Sequence, residues 1–131
     1  MVTGLYASLL VLLYVQLSLK IVGLRRRHKV SIGDGGVEDL QRAIATHTNA
    51  SQYIPIGLLL LLIAELNGLY LLLLHIAGIA LTVGRFMHSQ SIVKTDLKKR
   101  VLGMKITIFS IIGLAVVNLL LFLKQSIFSF L

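Results

Sequence analysis

Four long apolar stretches, separated by short polar ones, dominate the pattern along this chain. They cover roughly residues 3–24, 50–66, 69–87 and 101–123. A helix needs about 20 apolar residues to cross a hydrocarbon core about 30 Å thick, and these stretches are close to that length. Their apolar residues do not alternate with polar ones, which disfavours the closed β-barrel that lipid also permits. The pattern predicts an all-α integral membrane protein, a bundle of four transmembrane helices.

Polar residues at the ends of the stretches extend the predicted helices to about residues 3–24, 37–66, 69–90 and 98–124, within a single domain of residues 1–131. The second helix is longer than a membrane requires. The preceding SIGDGG is a turn that offers Asp34 as a helix N-cap, and only Pro55 interrupts the pattern between Val37 and Glu65. Its length of over about 40 Å predicts that its first turns project into the cytoplasmic interface.

Composition agrees with this class of protein, because 56% of the residues are hydrophobic and only 14% are charged. The net charge of +8 raises the question of nucleic acid. However, the basic residues lie at the ends of apolar stretches, where they set topology and meet lipid head groups. We therefore expect membrane lipid, and no nucleic acid, as a partner. The chain has no cysteine, so any thiol chemistry needs a thiol that a substrate brings.

Lys and Arg are concentrated in two of the three connections. The N-terminal segment and the hairpin at residues 65–68 have none, and ten of the thirteen lie in or beside the first and last connections: Lys20, Arg25, Arg26, Arg27, Lys29, Lys94, Lys98, Lys99, Arg100 and Lys105. The positive-inside rule places both basic connections in the cytoplasm and both termini outside it. The first stretch is followed by RRRHK rather than by a small-residue cleavage site, so we do not expect a cleaved signal peptide.

A stripe of polar positions follows one side of the second helix where it enters the membrane. The spacing of Glu38, Arg42, Ala45, Asn49 and Gln52, with Tyr53 at its border, places them on one face. We call these first five residues the polar stripe. Its polar members cannot all face lipid, so they must face another helix, another subunit or a ligand. Residue type alone favours a role in holding helices together.

A second polar group ends the third apolar stretch and consists of Arg85, His88 and Gln90. Arg85 either extends toward the membrane surface or faces the bundle interior and pairs with Glu38 or with a ligand anion. The four histidines show no paired spacing on one helix face, so no metal site is predicted.

The second-helix sequence RAIATHTNASQYIP resembles the signature of the MAPEG family, the membrane-associated proteins in eicosanoid and glutathione metabolism. Arg42, His47, Asn49, Tyr53 and Pro55 stand in register with it, and GRFMH resembles the family's third-helix Gly-Arg followed by histidine or tyrosine. Chain length, four helices and a basic first connection extend the resemblance over nearly the whole chain. The protein is similar to a divergent, bacterial-type member, which would lie in the inner or plasma membrane.

Family members are homotrimers that bind glutathione between subunits near the cytoplasmic side and activate its thiol. The resemblance therefore implies a homotrimer, glutathione as co-substrate and a lipophilic substrate. It implies Arg100 as the catalytic cation that favours the thiolate, with Lys99 as an alternative because the alignment is loose by one residue. The implied glutathione-binding residues are Arg26 (or a neighbour in the Arg25–Arg27 run), Glu38, Arg42, Asn49, Gln52, Tyr53, Arg85 and His88.

The sequence departs from the family pattern at three of its ligand contacts. Ala45 replaces an arginine, Gln52 a glutamate and Ile92 a tyrosine. The leading hypothesis is a membrane-bound, glutathione-dependent transferase or peroxidase-like enzyme. The alternative is a non-catalytic protein of the same fold that binds lipid or has a structural role. A small transporter is a poorer third, because no inverted repeat is visible.

Overall fold

The computed structural model describes residues 1–129, which form four helices. These are α1 (Val2–His28), α2 (Glu38–Leu66), α3 (Leu71–Val93) and α4 (Leu97–Ser129). All four are long and apolar enough to cross a membrane. The predicted all-α class with four transmembrane helices is therefore confirmed.

Three of the helices run further than the apolar stretches indicated. Helix α1 continues past residue 24 to His28, because arginine is a good helix former and does not end a helix. It stops at Lys29, which adopts a left-handed conformation with φ 55°. Helix α3 reaches Val93 rather than residue 90, and α4 reaches Ser129 rather than 124, since neither Gly nor Pro follows Lys124.

Asp34 is not the N-cap of α2, contrary to the prediction. The N-cap is Val37, which offers no side-chain hydrogen bond. The Asp34 carboxylate instead accepts a hydrogen bond from the Gly36 backbone N–H at 2.8 Å, within the turn itself. Gly35 and Gly36 both have positive φ, so the chain turns sharply there and begins the helix only afterwards. With 29 residues, α2 is about 43 Å long and exceeds a hydrocarbon core.

Two clusters of buried apolar side chains hold the bundle together. One joins α1, α2 and α3 in its middle, and the other joins all four helices toward the α2–α3 connection. Their members are Leu10, Leu13, Leu17, Ala50, Ile54 and Leu81 in the first, and Tyr6, Leu61, Ala64, Leu74 and Leu114 in the second. Many large apolar side chains on the outer helix faces are exposed, as expected of a surface that lies against lipid.

Glu65 and His75, at the end of the bundle near the α2–α3 connection, have partners on α1. The Glu65 carboxylate accepts hydrogen bonds from the backbone N–H groups of Val2 and Thr3, the second at 2.8 Å. The Tyr6 hydroxyl lies 2.8 Å from His75 Nδ1. These contacts fix the first turns of α1 against α2 and α3. We refer to the opposite end of the bundle, where the two cation-rich connections lie, as the basic end.

Helices α3 and α4 contact each other backbone to backbone near the basic end. A Cβ atom on Gly103 would lie 2.6 Å from the His88 backbone nitrogen, and one on Gly84 would lie 3.0 Å from the Gly103 carbonyl oxygen. Beside them, the Thr107 hydroxyl donates to the Gly103 carbonyl at 2.9 Å. This contact fixes the position of α4 along the axis of α3, beside His88 and Arg85.

Gly103→Ala is expected to lower the free energy of unfolding by about 1–3 kcal/mol, because a methyl group would force two helix backbones apart. The matched control is Gly113→Ala in the same helix, where an added Cβ meets nothing within 4 Å. That change should leave stability equal or slightly higher, since alanine favours helix. Thermal unfolding of both variants in detergent, followed by circular dichroism, compares them. Equal melting temperatures would contradict the close contact.

Candidate functional site

Arg85 is the largest fully buried side chain of the described residues, with 0% of its surface exposed. It lies on α3 near the basic end and faces the bundle interior. The interpretation in which Arg85 extends toward the membrane surface is therefore wrong. The guanidinium donates from Nη2 to the Asn49 side-chain oxygen on α2 at 2.6 Å. Its Nε and Nη1 atoms are buried and have no hydrogen-bond partner.

Two rings flank this guanidinium. The Arg85 Cζ atom lies 5.6 Å from the centre of the Tyr53 ring, on α2, a cation–π distance. His88 is 3% exposed and its Nδ1 lies 3.5 Å from Arg85 Nη2, at the limit of a hydrogen bond. The structure thus brings together four predicted site residues within one chain: Asn49, Tyr53, Arg85 and His88.

Arg85 has no counter-ion within the part of the chain that the structure describes. The ion pairs there join Arg42 to Glu38 and Lys99 to Asp96. Glu38 therefore binds Arg42, one helical turn away, and the predicted alternative of a Glu38–Arg85 pair is wrong. A buried cation without an anion is costly, and truncating the partner of a buried pair typically costs about 3–5 kcal/mol. Arg85 is therefore a buried cation for which the described residues supply no anion.

Arg42 and Arg100 line a cavity of about 200 Å³ at the basic end, between α2 and the α3–α4 connection. Ile92, which stands where the family pattern has a tyrosine, also lines it and is 6% exposed. Arg100 lies in the first turn of α4, where the helix dipole adds positive potential. The cavity therefore has two cations and no side-chain hydroxyl at position 92.

A second cavity, of about 280 Å³, lies on the other side of Arg42 and is lined by Lys20, Leu24, Asp39 and Ala43. It separates α1 from α2 at the basic end. Arg42 is therefore accessible from two sides, and its pairing with Glu38 occurs at the surface, where the Glu38 side chain is 75% exposed.

The remaining predicted site residues lie apart from Arg85 in the single chain. Arg26 is exposed in the last turn of α1 and lines neither cavity. Gln52 and Ala45 are exposed on the outer side of α2, whereas Asn49 of the same polar stripe reaches inward to Arg85. Lys99 pairs with Asp96 at 3.8 Å and does not line the cavity that Arg42 and Arg100 share.

Sequence reasoning missed Ser89, Ser91 and Asp96. Ser89 is 2% exposed and its hydroxyl has no partner, while Ser91 and Asp96 line the cavity with Arg100. Asp96 had a detectable signal, because an aspartate just before an apolar run is a typical helix N-cap. Its carboxylate accepts from the Lys99 backbone N–H at 3.1 Å. The serines had none, since a serine near the end of a helix can face either the surface or the interior.

Comparison with known proteins tests the family resemblance of the sequence. A family model described as the MAPEG family matches residues 3–120. The chain belongs to the MAPEG family. It is 40% identical over 119 residues to the inner membrane protein YecN of Escherichia coli strain K12, and the match covers 91% of each chain. The protein of the same name from Escherichia coli O6:H1 strain CFT073 matches equally.

Membership confirms the family that RAIATHTNASQYIP and GRFMH indicated. With four helices of spanning length, this MAPEG protein is an integral, multi-pass membrane protein whose outer helix faces contact lipid.

Proposed function

We propose that this MAPEG protein is a glutathione-dependent membrane enzyme, which joins glutathione to a lipophilic electrophile or reduces a lipophilic peroxide with it. The supporting observation is the buried Arg85 guanidinium, whose Nε and Nη1 have no partner among the described residues. A carboxylate would accept a hydrogen bond from one of these nitrogens, and Nη2 would share that carboxylate in the paired geometry that arginine favours. Glutathione carries two carboxylates, and Arg42 offers a second cation nearby on the same face as Asn49.

Arg100 is proposed to act on the thiol. Glutathione reacts as its thiolate, and a nearby cation at a helix N-terminus favours that form. Ile92 supplies no hydroxyl at the cavity, so the arginine would carry this role without a tyrosine. Ile92 would instead present an apolar wall to the substrate. A thiolate at the membrane surface can meet substrates dissolved in the bilayer.

The complete site is proposed to lie between subunits of a homotrimer. A cavity of about 200 Å³ is smaller than typical ligand pockets of about 300–1,000 Å³, so one protomer holds only part of a tripeptide. Gln52 is exposed on a membrane-spanning helix, which is costly against lipid. A second copy over the polar stripe would cover Gln52 and bring its Arg26 toward the ligand. Native mass spectrometry is expected to give a trimer; a monomer alone would exclude this arrangement.

The alternative, a non-catalytic MAPEG protein, is supported by three residues: Ala45, Gln52 and Ile92. Each stands where the family pattern has a ligand contact, and Ala45 and Ile92 carry no polar group that could bind glutathione. Lost charge-assisted hydrogen bonds contribute about 1.5–3 kcal/mol each, so glutathione is expected to bind weakly even if it is the substrate.

Glutathione binding decides between the two functions. With millimolar glutathione, the detergent-purified protein is expected to melt at higher temperature, because a ligand that binds the folded state stabilises it. A glutathione analogue with both carboxylates amidated serves as control and should give no shift. If 10 mM glutathione, a concentration about tenfold above a millimolar Kd, gives neither a shift nor calorimetric heat, the non-catalytic function replaces the enzyme.

We propose further that the membrane is a bacterial inner membrane, as for YecN, with both termini outside the cytoplasm. A C-terminal green fluorescent protein fusion, which fluoresces only in the cytoplasm, is expected to be dark. A fusion after Gly33, in the first basic connection, provides the matched control and should fluoresce. A fluorescent C-terminal fusion together with a dark fusion after Gly33 would show the inverse topology. The positive-inside rule would then fail for ten cations.

A further inference from the structure

An apolar groove of about 600 Å³ runs between α3 and α4. Small residues form its floor, among them Ala77, Ala80 and Gly113, and an added Cβ on Gly113 would meet nothing within 4 Å. Of its lining residues only Ser110 and Lys105 are polar. The Ser110 hydroxyl is already satisfied, since it donates to the Ile106 carbonyl at 2.7 Å. Among the described residues that line the groove, Lys105 is therefore the one polar group left without a partner.

Lys105 lies at the basic end of the groove and is unpaired. It is two residues beyond Gly103, whose backbone contacts His88, so it lies near the end of the apolar stretch of α3. It is exposed, and no carboxylate among residues 1–129 pairs with it. A lysine in this position extends its ammonium group to the membrane surface, where the available anions are lipid phosphates.

The length of the groove fits a lipid tail that descends from such a phosphate. The groove extends along α4 from Leu102 to Val117, and the twelve residues from Lys105 to Val117 rise about 18 Å. One leaflet of a bilayer supplies about 15 Å of hydrocarbon. An acyl chain that starts at the level of Lys105 therefore ends where the groove ends.

We propose that this groove binds one anionic phospholipid from the leaflet at the basic end, with its phosphate on Lys105 and an acyl chain between α3 and α4. A second copy of the chain is a poorer occupant, because it would need an acid opposite Lys105. Of the five acidic residues, Asp34, Glu38, Asp39 and Asp96 lie in or beside the basic connections, and Glu65 lies at the opposite end. In a parallel copy, none of these acids lies within the apolar stretches of α3 and α4 that line the groove.

The site is separate from the proposed glutathione site. None of its lining residues lines the cavities beside Arg42. Lipid binding here therefore does not depend on whether the protein uses glutathione.

Native mass spectrometry with added phosphatidylglycerol, or phosphatidylcholine of the same acyl chains, tests the proposal. Lys105→Ala is expected to lower the occupancy of the first phosphatidylglycerol at least about fivefold, the effect of one cation at a membrane surface. Lys98→Ala removes the same charge from an exposed position outside the groove and should change it less than about twofold. Phosphatidylcholine should bind the wild type more weakly than phosphatidylglycerol does. The two lipids should bind Lys105→Ala nearly equally.

Gly113→Phe tests the acyl chain, because a phenyl ring would fill the groove floor. It is expected to abolish the first lipid adduct, whereas Gly4→Phe, at an open position on α1, should keep it. Equal losses of phosphatidylglycerol occupancy in Lys105→Ala and Lys98→Ala would overturn the proposal, because they would indicate a diffuse electrostatic attraction rather than a site. Retained lipid in Gly113→Phe would overturn it as well. Dissociation of an oligomer by Gly113→Phe, with lipid binding unchanged, would assign the groove to a second copy instead.

Discussion

Arg100→Ala is expected to lower glutathione-dependent turnover about a hundredfold or more, while glutathione affinity changes far less. The reason is that Arg100 lies at the mouth of the cavity, in the first turn of α4, where its charge would act on the sulfur rather than on the carboxylates. Steady-state rates with a chromogenic electrophile give the turnover, and calorimetry gives the affinity. Because Arg100 is exposed, the melting temperature should not change.

Lys99→Ala is the matched control, since it removes an equal charge from the neighbouring residue. Lys99 pairs with Asp96 and does not line the cavity, so turnover should remain within about threefold of the wild type. A large loss in Lys99→Ala with normal turnover in Arg100→Ala would transfer the role to Lys99. Normal turnover in both variants would mean that neither cation activates the thiol.

Replacing Arg85 and its acceptor together, as Arg85→Met with Asn49→Leu, is expected to stabilise the ligand-free protein by about 1–4 kcal/mol. The double change removes a buried charge that has no counter-ion among the described residues, and it leaves no side-chain oxygen without its donor. The same variant should lose all stabilisation by glutathione. Chemical unfolding in detergent, with and without glutathione, measures both effects.

The sign of the stability change separates a ligand-binding Arg85 from a structural one. If Arg85 serves only to hold α2 against α3, the double variant should be less stable. Arg42→Met provides the comparison, because it neutralises a half-buried arginine whose ion pair lies at the surface and should change stability by only about 0–1 kcal/mol. A destabilised double variant that still responds to glutathione would exclude Arg85 from the binding site.

The four helices could be predicted because a run of about 20 apolar residues has few other folds available in lipid. Helix period also separated His47 from the polar stripe, although the family signature includes it. In the structure His47 packs on α1, with its Nε2 2.9 Å from the Ser18 hydroxyl and its ring 4.6 Å from that of Tyr14. Local periodicity thus identified which side of α2 each residue occupies.

The environment of Arg85 could not be predicted in the same way. A long arginine side chain near a helix end can reach either the surface or the interior, and the choice depends on the neighbouring helices. Here Asn49 and Tyr53 of α2 face it, while the Gly103 contact brings α4 close to His88. The position of Arg26 could not be predicted either. Its distance from the other arginines depends on how α1 packs and not on any spacing in sequence.

Close contact at Gly84 and Gly103 also determines which movements are open to the bundle. Helices held apart by long side chains can slide as those side chains change rotamer, whereas touching backbones cannot, because close-packed interiors resist compression. Helices α3 and α4 should therefore move as one rigid hairpin. Any motion that admits a bulky molecule between helices must then displace this hairpin as a unit against α1 and α2, with its hinge in the short turn at Gly68, where φ is 78°.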